Sequence, residues 1–218
     1  MRGTKIFIYF EFVRCWMKQL ELNKSVNLLK KHKINFVNYK KINSEKDLND
    51  LNYPIALKIS AKNIIHKTDA GGVILNIANK EQAINEFNKL KKISKEIIMQ
   101  EMVSGKEIII GMKKDPQFGP VIMFGLGGIF VEILKDVSFR ICPIEKDQAL
   151  EMIKEIKSFK ILEGIRGEQP ININELSALI VKISNLATKE EITEIDLNPV
   201  IVDSKKATVV DVRFMVWI

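Results

Sequence analysis

A chain of 218 residues has room for a sizeable buried core, and with 46% hydrophobic and 28% charged residues it is not a disordered or fibrous chain. The net charge of +7 suits an anionic ligand such as a nucleotide, but the lysines are spread through helical segments and are not interleaved with aromatics, which argues against a nucleic-acid groove. Cys15 and Cys142 stand apart from each other and from any histidine, so neither a disulfide framework nor a zinc site is expected, and a reducing cytoplasm fits.

The apolar run Ile6 to Phe10 is broken by Glu11 and Arg14, too short to cross a bilayer and without a small-residue cleavage site, so no membrane partner is expected. Residues 1–18 read as a peripheral N-terminal extension of uncertain order. Val26, Leu28 and Leu29 among lysines predict an amphipathic helix beginning near Ser25. Residues 34–39 alternate apolar and polar as a half-buried strand does. Ser44 followed by Asp47 predicts a capping box on a short helix that ends before Tyr53-Pro54.

Ile55–Ile59 and Val73–Ile77 read as strands, the first with Lys58 inside it. A lysine in an apolar strand either snorkels to water or meets an anion. Residues 80–93 carry helical periodicity, and 97–103 and 106–112 are two strands separated by a turn at Ser104-Gly105, a hinge signal. A strand over 121–124 leads to Gly125-Leu126-Gly127-Gly128. Helices are predicted over 146–162 and 174–187, then strands over 192–197, 200–202 and 207–212 with a turn around 203–206. Short turns between successive strands favour antiparallel pairing, giving an α+β fold in two lobes, 19–95 and 96–218.

The most informative stretch runs from Lys58 to Val73. His66, one of two histidines, lies between Lys62 and Lys67 and is followed by Asp69, Gly71 and Gly72. A neutral imidazole is a competent nucleophile toward phosphorus, the lysines offset phosphate charge, and the glycines let backbone amides approach oxygens. In Glu194-Ile195-Asp196-Leu197-Asn198-Pro199 the polar residues share one strand face, and Asp211 follows. Such oxygen donors suit magnesium, while a wet edge strand explains the same alternation. The glycine cluster matches neither G-x-G-x-x-G nor G-x-x-x-x-G-K-[ST], yet it can form an anion-binding nest, with Lys135 or Arg140 nearby, or simply a tight bend.

The blocks IALKISAKNIIHKTDAGGV, QEMVSGKEIIIGMKKDPQFGPVIMFGLGGIFVEILKDVSFRICPI and EIDLNPVIV resemble the beta subunit of ADP-forming acetyl-CoA synthetase, of the ATP-grasp superfamily, over roughly residues 20–216. The resemblance implies an ATP-grasp fold whose lobes each have a mainly antiparallel sheet and packed helices. It also implies an acid–CoA ligase that converts acyl-CoA, phosphate and ADP to acid, CoA and ATP. The phosphoryl group would pass through His66, oriented by Asp196. Lys58 would meet the nucleotide phosphates, Glu101 and Val103 the adenine, Glu107 the ribose, and Gly127 and Gly128 would form a phosphate loop. Asn198 and Asp211 would hold Mg2+ beside ATP or ADP.

No CoA-binding module fits in the remaining length, so the resemblance implies an alpha subunit carrying the CoA and acyl site, most simply in an alpha2beta2 assembly. His32-Lys33 stands where a glycine often ends the first helix of this family. Two alternatives stay open: a succinyl-CoA synthetase-like or other ATP-grasp carboxylate ligase subunit, and a non-catalytic nucleotide-binding regulatory subunit.

Overall fold

A computed structural model of the chain describes residues 17–60, 71–128, 135–165 and 167–218. They divide into two compact units, one formed by residues up to Phe36 together with Gly105–Ile218, the other by Val37–Ser104.

The larger unit is a seven-stranded sheet with helices against one face. Its strands are β1 (Met17–Gln19), β6 (Lys106–Asp115), β7 (Gly119–Leu126), β8 (Val137–Ile141), β9 (Glu194–Val202), β10 (Ala207–Val209) and β11 (Arg213–Trp217). Their order is β1-β11-β9-β6-β7-β8, with β10 also paired to β9, and every strand pair is antiparallel. Alternation along β6 sends Ile108, Ile110 and Met112 into the core. There they meet Ile122, Phe124 and Leu126 of β7 and the inner faces of helices α3 (Lys146–Glu155) and α5 (Ile173–Lys189). Helix α1 (Leu22–Lys31) adds Leu29 to this core, and Ile34 follows it.

The smaller unit has a four-stranded antiparallel sheet in the order β2-β5-β3-β4: β2 (Tyr39–Ile42), β5 (Ile97–Glu101), β3 (Ile55–Ile59) and β4 (Val73–Ile77). Ile55, Leu57 and Ile59 pack against Ala83, Phe87 and Leu90 of α2 (Lys80–Leu90). Asn79 caps that helix by accepting from the Gln82 amide at 2.9 Å. The expected capping box is present on the 3-10 turn Glu45–Leu48, where Asp47 accepts from the Asn43 and Ser44 amides at 2.9 and 3.0 Å.

The unit boundaries differ from the expected 19–95 and 96–218. β5 pairs with both β2 and β3, so it belongs to the small sheet, while α1 and β1 belong to the large one. Met17 and Lys18, placed in the peripheral extension, pair with Trp217 and Val216. Other boundaries also move. α1 starts at Leu22, three residues before Ser25, without a side-chain cap. Residues 34–38 are not a strand: Phe36 makes one bridge to Val209, while Ile34 and Val37 are buried. Lys33 has φ 56°, the left-handed conformation that a glycine commonly supplies after a helix.

The helix expected over 146–162 breaks at Ile156, and a short helix α4 (Phe159–Leu162) follows. The cause is distant in sequence. Buried Asp136 accepts from the amides of Lys157 and Ser158 at 2.8 and 2.7 Å and from the Ser158 hydroxyl at 2.5 Å. Burial pushes this carboxyl up, but the Ser158 hydroxyl and the two amides outweigh it, holding the pKa below its ordinary 3.8. A depressed carboxylate contributes stability above its ordinary value and loses it as pH falls through the depressed one. Asp136→Ala is expected to cost roughly 3 kcal/mol at pH 7 by removing charged hydrogen bonds from a buried site. In denaturant melts, the gap between the unaltered chain and Asp136→Asn should narrow below the ordinary aspartate range.

Candidate functional site

The expected carboxylate and amide donors gather at the middle of β9. The strand alternates as expected, with Ile195 and Leu197 buried and Glu194, Asp196 and Asn198 on the outer face. It does not stop at Pro199. Leu197 pairs with Ile110 and Val200 with Ile108, so Asn198 and Pro199 together oppose Ile109, forming a bulge. Proline has no amide to give the ladder, and a bulge is where a strand accepts it. Beyond the bulge the phase inverts and Val200 and Val202 face the core.

Asp211 is brought to the same place. The strand expected over 207–212 ends at Val209 because the amides of Val210 and Asp211 turn to the Pro199 carbonyl, at 3.0 and 3.4 Å. Arg213 is opposite Asp196 in the β11–β9 register, so counting back two residues puts Asp211 opposite Asn198. Asp211 lies between strands, and its Oδ1 accepts from the Val212 amide at 3.0 Å.

Asp196 lies 3.4 Å from Nη2 of Arg213, both side chains partly exposed. Burial pushes the Asp196 carboxyl above its ordinary range, Asp211 and Glu194 push it the same way, and Arg213 opposes them. A carboxyl raised in the folded state favours folding while protonated, and that contribution is lost as pH rises through the raised value. Ionised Asp196 is therefore held at a cost to stability.

Glu107 meets the glycine loop. It is exposed on the outer face of β6, and its carbonyl accepts from the Gly127 amide at 2.7 Å. A Cβ on Gly127 would lie 3.0 Å from the Glu107 Cβ, and one on Gly128, where φ is 66°, 3.4 Å from the Glu107 Oε2. The loop's lack of side chains is what allows it to lie along Glu107. Arg140, considered as a cation for this loop, is bound to Glu155 at 2.7 Å, and Lys135 is exposed.

In the small unit, Lys58 is buried on β3, opposite Ile98 of β5 and Val73 of β4, on the face away from Leu57 and Ile59. Glu101 ends β5. Its amide donates to the Asn38 carbonyl at 3.2 Å and its carboxylate accepts from the Asn38 side chain at 3.0 Å, so a main-chain contact from Glu101 to a base would come through its carbonyl. Val103 is partly buried beyond the strand end.

His66, with Lys62 and Lys67, lies outside the described residues. The other histidine, His32, follows α1 and bonds Glu190 at 2.7 Å, and Lys31 bonds the same carboxylate at 2.7 Å. Hydrogen bonds from Lys31 and His32 hold Glu190 below its ordinary range. His32 thus ties α1 to the end of α5.

Arg213 is the residue that sequence reasoning missed. Its Nε is buried without a hydrogen-bond partner, a condition that costs on the order of 1–3 kcal/mol. The signal was Asp211-Val212-Arg213, whose two-residue spacing places acid and base on one face once the segment pairs with β9.

Carboxylate and amide oxygens at Asp211 and Asn198 suit a hard divalent cation. Among the described residues no three histidines, cysteines, aspartates or glutamates gather closely enough to hold a metal, so a cation here would complete its shell from phosphate oxygens and water. The donor set fits magnesium used with a nucleotide. No helix among the described residues is long and apolar enough to cross a membrane.

A family model described as an ATP-grasp domain matches residues 15–216. The beta subunit of acetate–CoA ligase (ADP-forming) I from Pyrococcus furiosus is 49% identical over 177 residues, 76% of each chain. Among solved structures, the dinucleotide-forming acetyl-coenzyme A synthetase 1 of Ca. Korarchaeum cryptofilum, in complex with coenzyme A and Ca-AMPCP, superposes with a TM-score of 0.86 at 35% identity, covering 91% of this chain and 93% of that one. The same protein with Mg-AMPPCP, its phosphohistidine segment pointing towards the nucleotide-binding site, gives 0.81 at 36% identity with the same coverage. The chain therefore belongs to the ATP-grasp family and, within it, to the beta subunits of ADP-forming acetate–CoA ligases.

Proposed function

We propose that this chain is the nucleotide-binding subunit of an ADP-forming acyl-CoA synthetase, which passes a phosphoryl group from His66 to ADP. The observation that carries the reading is the convergence of Asp196, Asn198 and Asp211 at the β9 bulge, in a chain that matches beta subunits over three quarters of its length. Of the two histidines, His32 is engaged by Glu190, which supports assigning the carrier role to His66.

Phosphorus leaves the imidazole nitrogen as the ADP β-phosphate oxygen bonds to it, and the electron pair of the broken P–N bond returns to the ring. Asp196 would serve to orient or charge-stabilise the imidazole, as a carboxylate fixes a ring tautomer. Lys58 meets the nucleotide phosphates, Glu101 and Val103 the adenine, and Glu107 the ribose hydroxyls. The Gly127-Gly128 amides cradle phosphate oxygens. Asn198 and Asp211 would hold magnesium, which when bound would supply positive charge to offset that of the phosphates.

The beta-subunit relatives imply a partner subunit. We assign to it the CoA and acyl sites and take the assembly to be alpha2beta2. Two isolated cysteines, of which Cys142 is a buried free thiol, support a cytoplasmic setting.

The test is ATP formation from acetyl-CoA, ADP, phosphate and magnesium by the assembled subunits. Asp211→Ala is expected to lower it on the order of 100-fold and to raise the magnesium concentration needed. Turnover with succinyl-CoA alone would favour the succinyl-CoA synthetase-like alternative. Nucleotide binding without turnover on any acyl-CoA would favour a regulatory subunit.

A further inference from the structure

Arg213 carries positive charge into the row of oxygens to which the proposed reaction assigns a cation. It lies opposite Asp196 in the β11–β9 register, with Asn198 two residues along β9 on the same face and Asp211 two residues back along its own segment. Diagonal and next-but-one neighbours on a sheet face stand roughly 7 Å apart, less than a Debye length, so salt does little to screen the guanidinium from either candidate ligand.

Three carboxylates share this part of the sheet, and Glu194 and Asp211 both act on that of Asp196. Lys113 lies 3.6 Å from Glu194 and Arg213 3.4 Å from Asp196, whereas Asp211 accepts from the Val212 amide at 3.0 Å. Fixed cations thus offset Glu194 and Asp196. The affinity of an oxygen site for a hard divalent cation rises with the number of charged ligands. With Asp196 held by Arg213, the row offers such a cation the carboxylate of Asp211 and the neutral amide oxygen of Asn198.

Strength of pairing does not account for the arginine. A planar fork and a carboxylate favour two parallel hydrogen bonds, but here one nitrogen makes a long contact, and Nε is buried with no hydrogen-bond partner among the described residues. What it contributes is charge.

We propose that Arg213 holds down the affinity of this row for a bare divalent cation, by engaging Asp196 and by repelling a second positive charge, so that the row takes a metal–phosphate complex in preference to the free ion. The inference rests on the reading that Asn198 and Asp211 are the magnesium ligands. Arg213 is then a specificity-determining residue for the form in which the metal enters. Charges of +1 and +2 about 7 Å apart at a protein surface repel strongly enough to change a binding constant tenfold or more.

The experiment measures Mn2+ binding from the loss of the free ion's electron paramagnetic resonance signal, in the chain assembled with its partner subunit and without nucleotide or phosphate. Thermal midpoints are taken on the same samples. Arg213→Met is expected to bind Mn2+ about tenfold more tightly than the unaltered chain. Arg213→Lys, which keeps the charge, is expected to stay within a factor of about three of it. The gain is expected to vanish when Arg213→Met is combined with Asp211→Ala.

An arginine that only braced the strands would give the opposite sign, since loosening the row weakens its hold on a metal. Unchanged or weaker Mn2+ binding in a folded Arg213→Met chain would overturn the inference. So would a gain in Arg213→Lys equal to that in Arg213→Met, or a gain that survives Asp211→Ala. If Arg213→Met does not fold, Arg213→Gln, also uncharged, is read by the same criteria. If Asp211→Ala leaves Mn2+ binding in the presence of ADP unchanged, the magnesium reading fails and this inference with it. A loss there, with no tightening in Arg213→Met, sinks the inference alone.

Discussion

His66→Ala is expected to abolish ATP formation from acyl-CoA, ADP and phosphate, a loss on the order of 10⁴-fold or more, while leaving Mg-ADP affinity within a factor of about three. The size of the loss follows from the chemistry. A carrier nucleophile makes and breaks a covalent bond in each turnover, and neither water nor a neighbouring lysine replaces it in a sequence of two linked transfers. The chain has one other histidine, and His32 is bound to Glu190 at the end of α5. Steady-state rates of the assembled enzyme, set beside calorimetric titration of Mg-ADP, check both halves of the expectation. A variant that lost nucleotide affinity and turnover together would place His66 in the nucleotide site rather than on the carrier.

Gly105→Ala is expected to have the largest effect on stability, roughly 3 kcal/mol or more, from backbone strain added to overpacking. Gly105 has φ 152°, and an added Cβ would lie 2.5 Å from the carbonyl oxygen of Val202, with the Ile201 methyl at 2.9 Å. None of these neighbours can retreat cheaply. Val202 is in the ladder with Lys106, and Ile201 and Val202 are both buried. For a chain of this length the loss corresponds to a fall of roughly 6–12 °C in the thermal midpoint. Circular dichroism melts of the two chains measure it, and an unchanged midpoint would mean that β6 shifts freely against β9.

Local signals made part of the fold legible. β3 and β4 were readable to the residue because each is an apolar run bounded by a turn-forming residue, Pro54 before one and Gly72 before the other. The Ser44–Asp47 capping box was readable because both partners lie within four residues. What failed was set at a distance. The Ile34–Tyr39 alternation was read as one strand, but Ile34 and Val37 are buried beyond α1 without a ladder, and pairing begins only at Tyr39, the first residue of β2. The break after α3 is imposed by Asp136, about twenty residues upstream, and no helix-stop signal marks it. Pro199 was read as a gap between two strands, whereas the bulge lets β9 continue through it. β8 and β11 went unread: each is five residues long, and β11 acquires its pattern only by pairing with β9.

The candidate site divides along the same line. Residue types and spacing in the chain put Glu194, Asp196 and Asn198 on one strand face, because alternation on a strand is a local property, while Glu107 was proposed from its place just after the Ser104-Gly105 turn. The placement of Asp211 depends on the Pro199 carbonyl capturing two amides, and the apposition of Gly127 to Glu107 on the β6–β7 pairing. Arg213 was missed for the same reason, since its partner lies on another strand. Asp196 also shows why such a cluster is not there for stability: burial, Asp211 and Glu194 all oppose its ionisation, and one long contact to Arg213 is the opposing attraction.

Site-resolved phosphorylation tests the central claim most directly. The chain, assembled with its partner subunit, is incubated with Mg-ATP labelled at the γ-phosphate, digested under alkaline conditions and mapped by peptide. The account predicts an acid-labile, base-stable label on the peptide that carries His66, chased into ATP by added ADP, with none on His32. Label on His32 or on a carboxylate, or full turnover with no label on this chain, would contradict it.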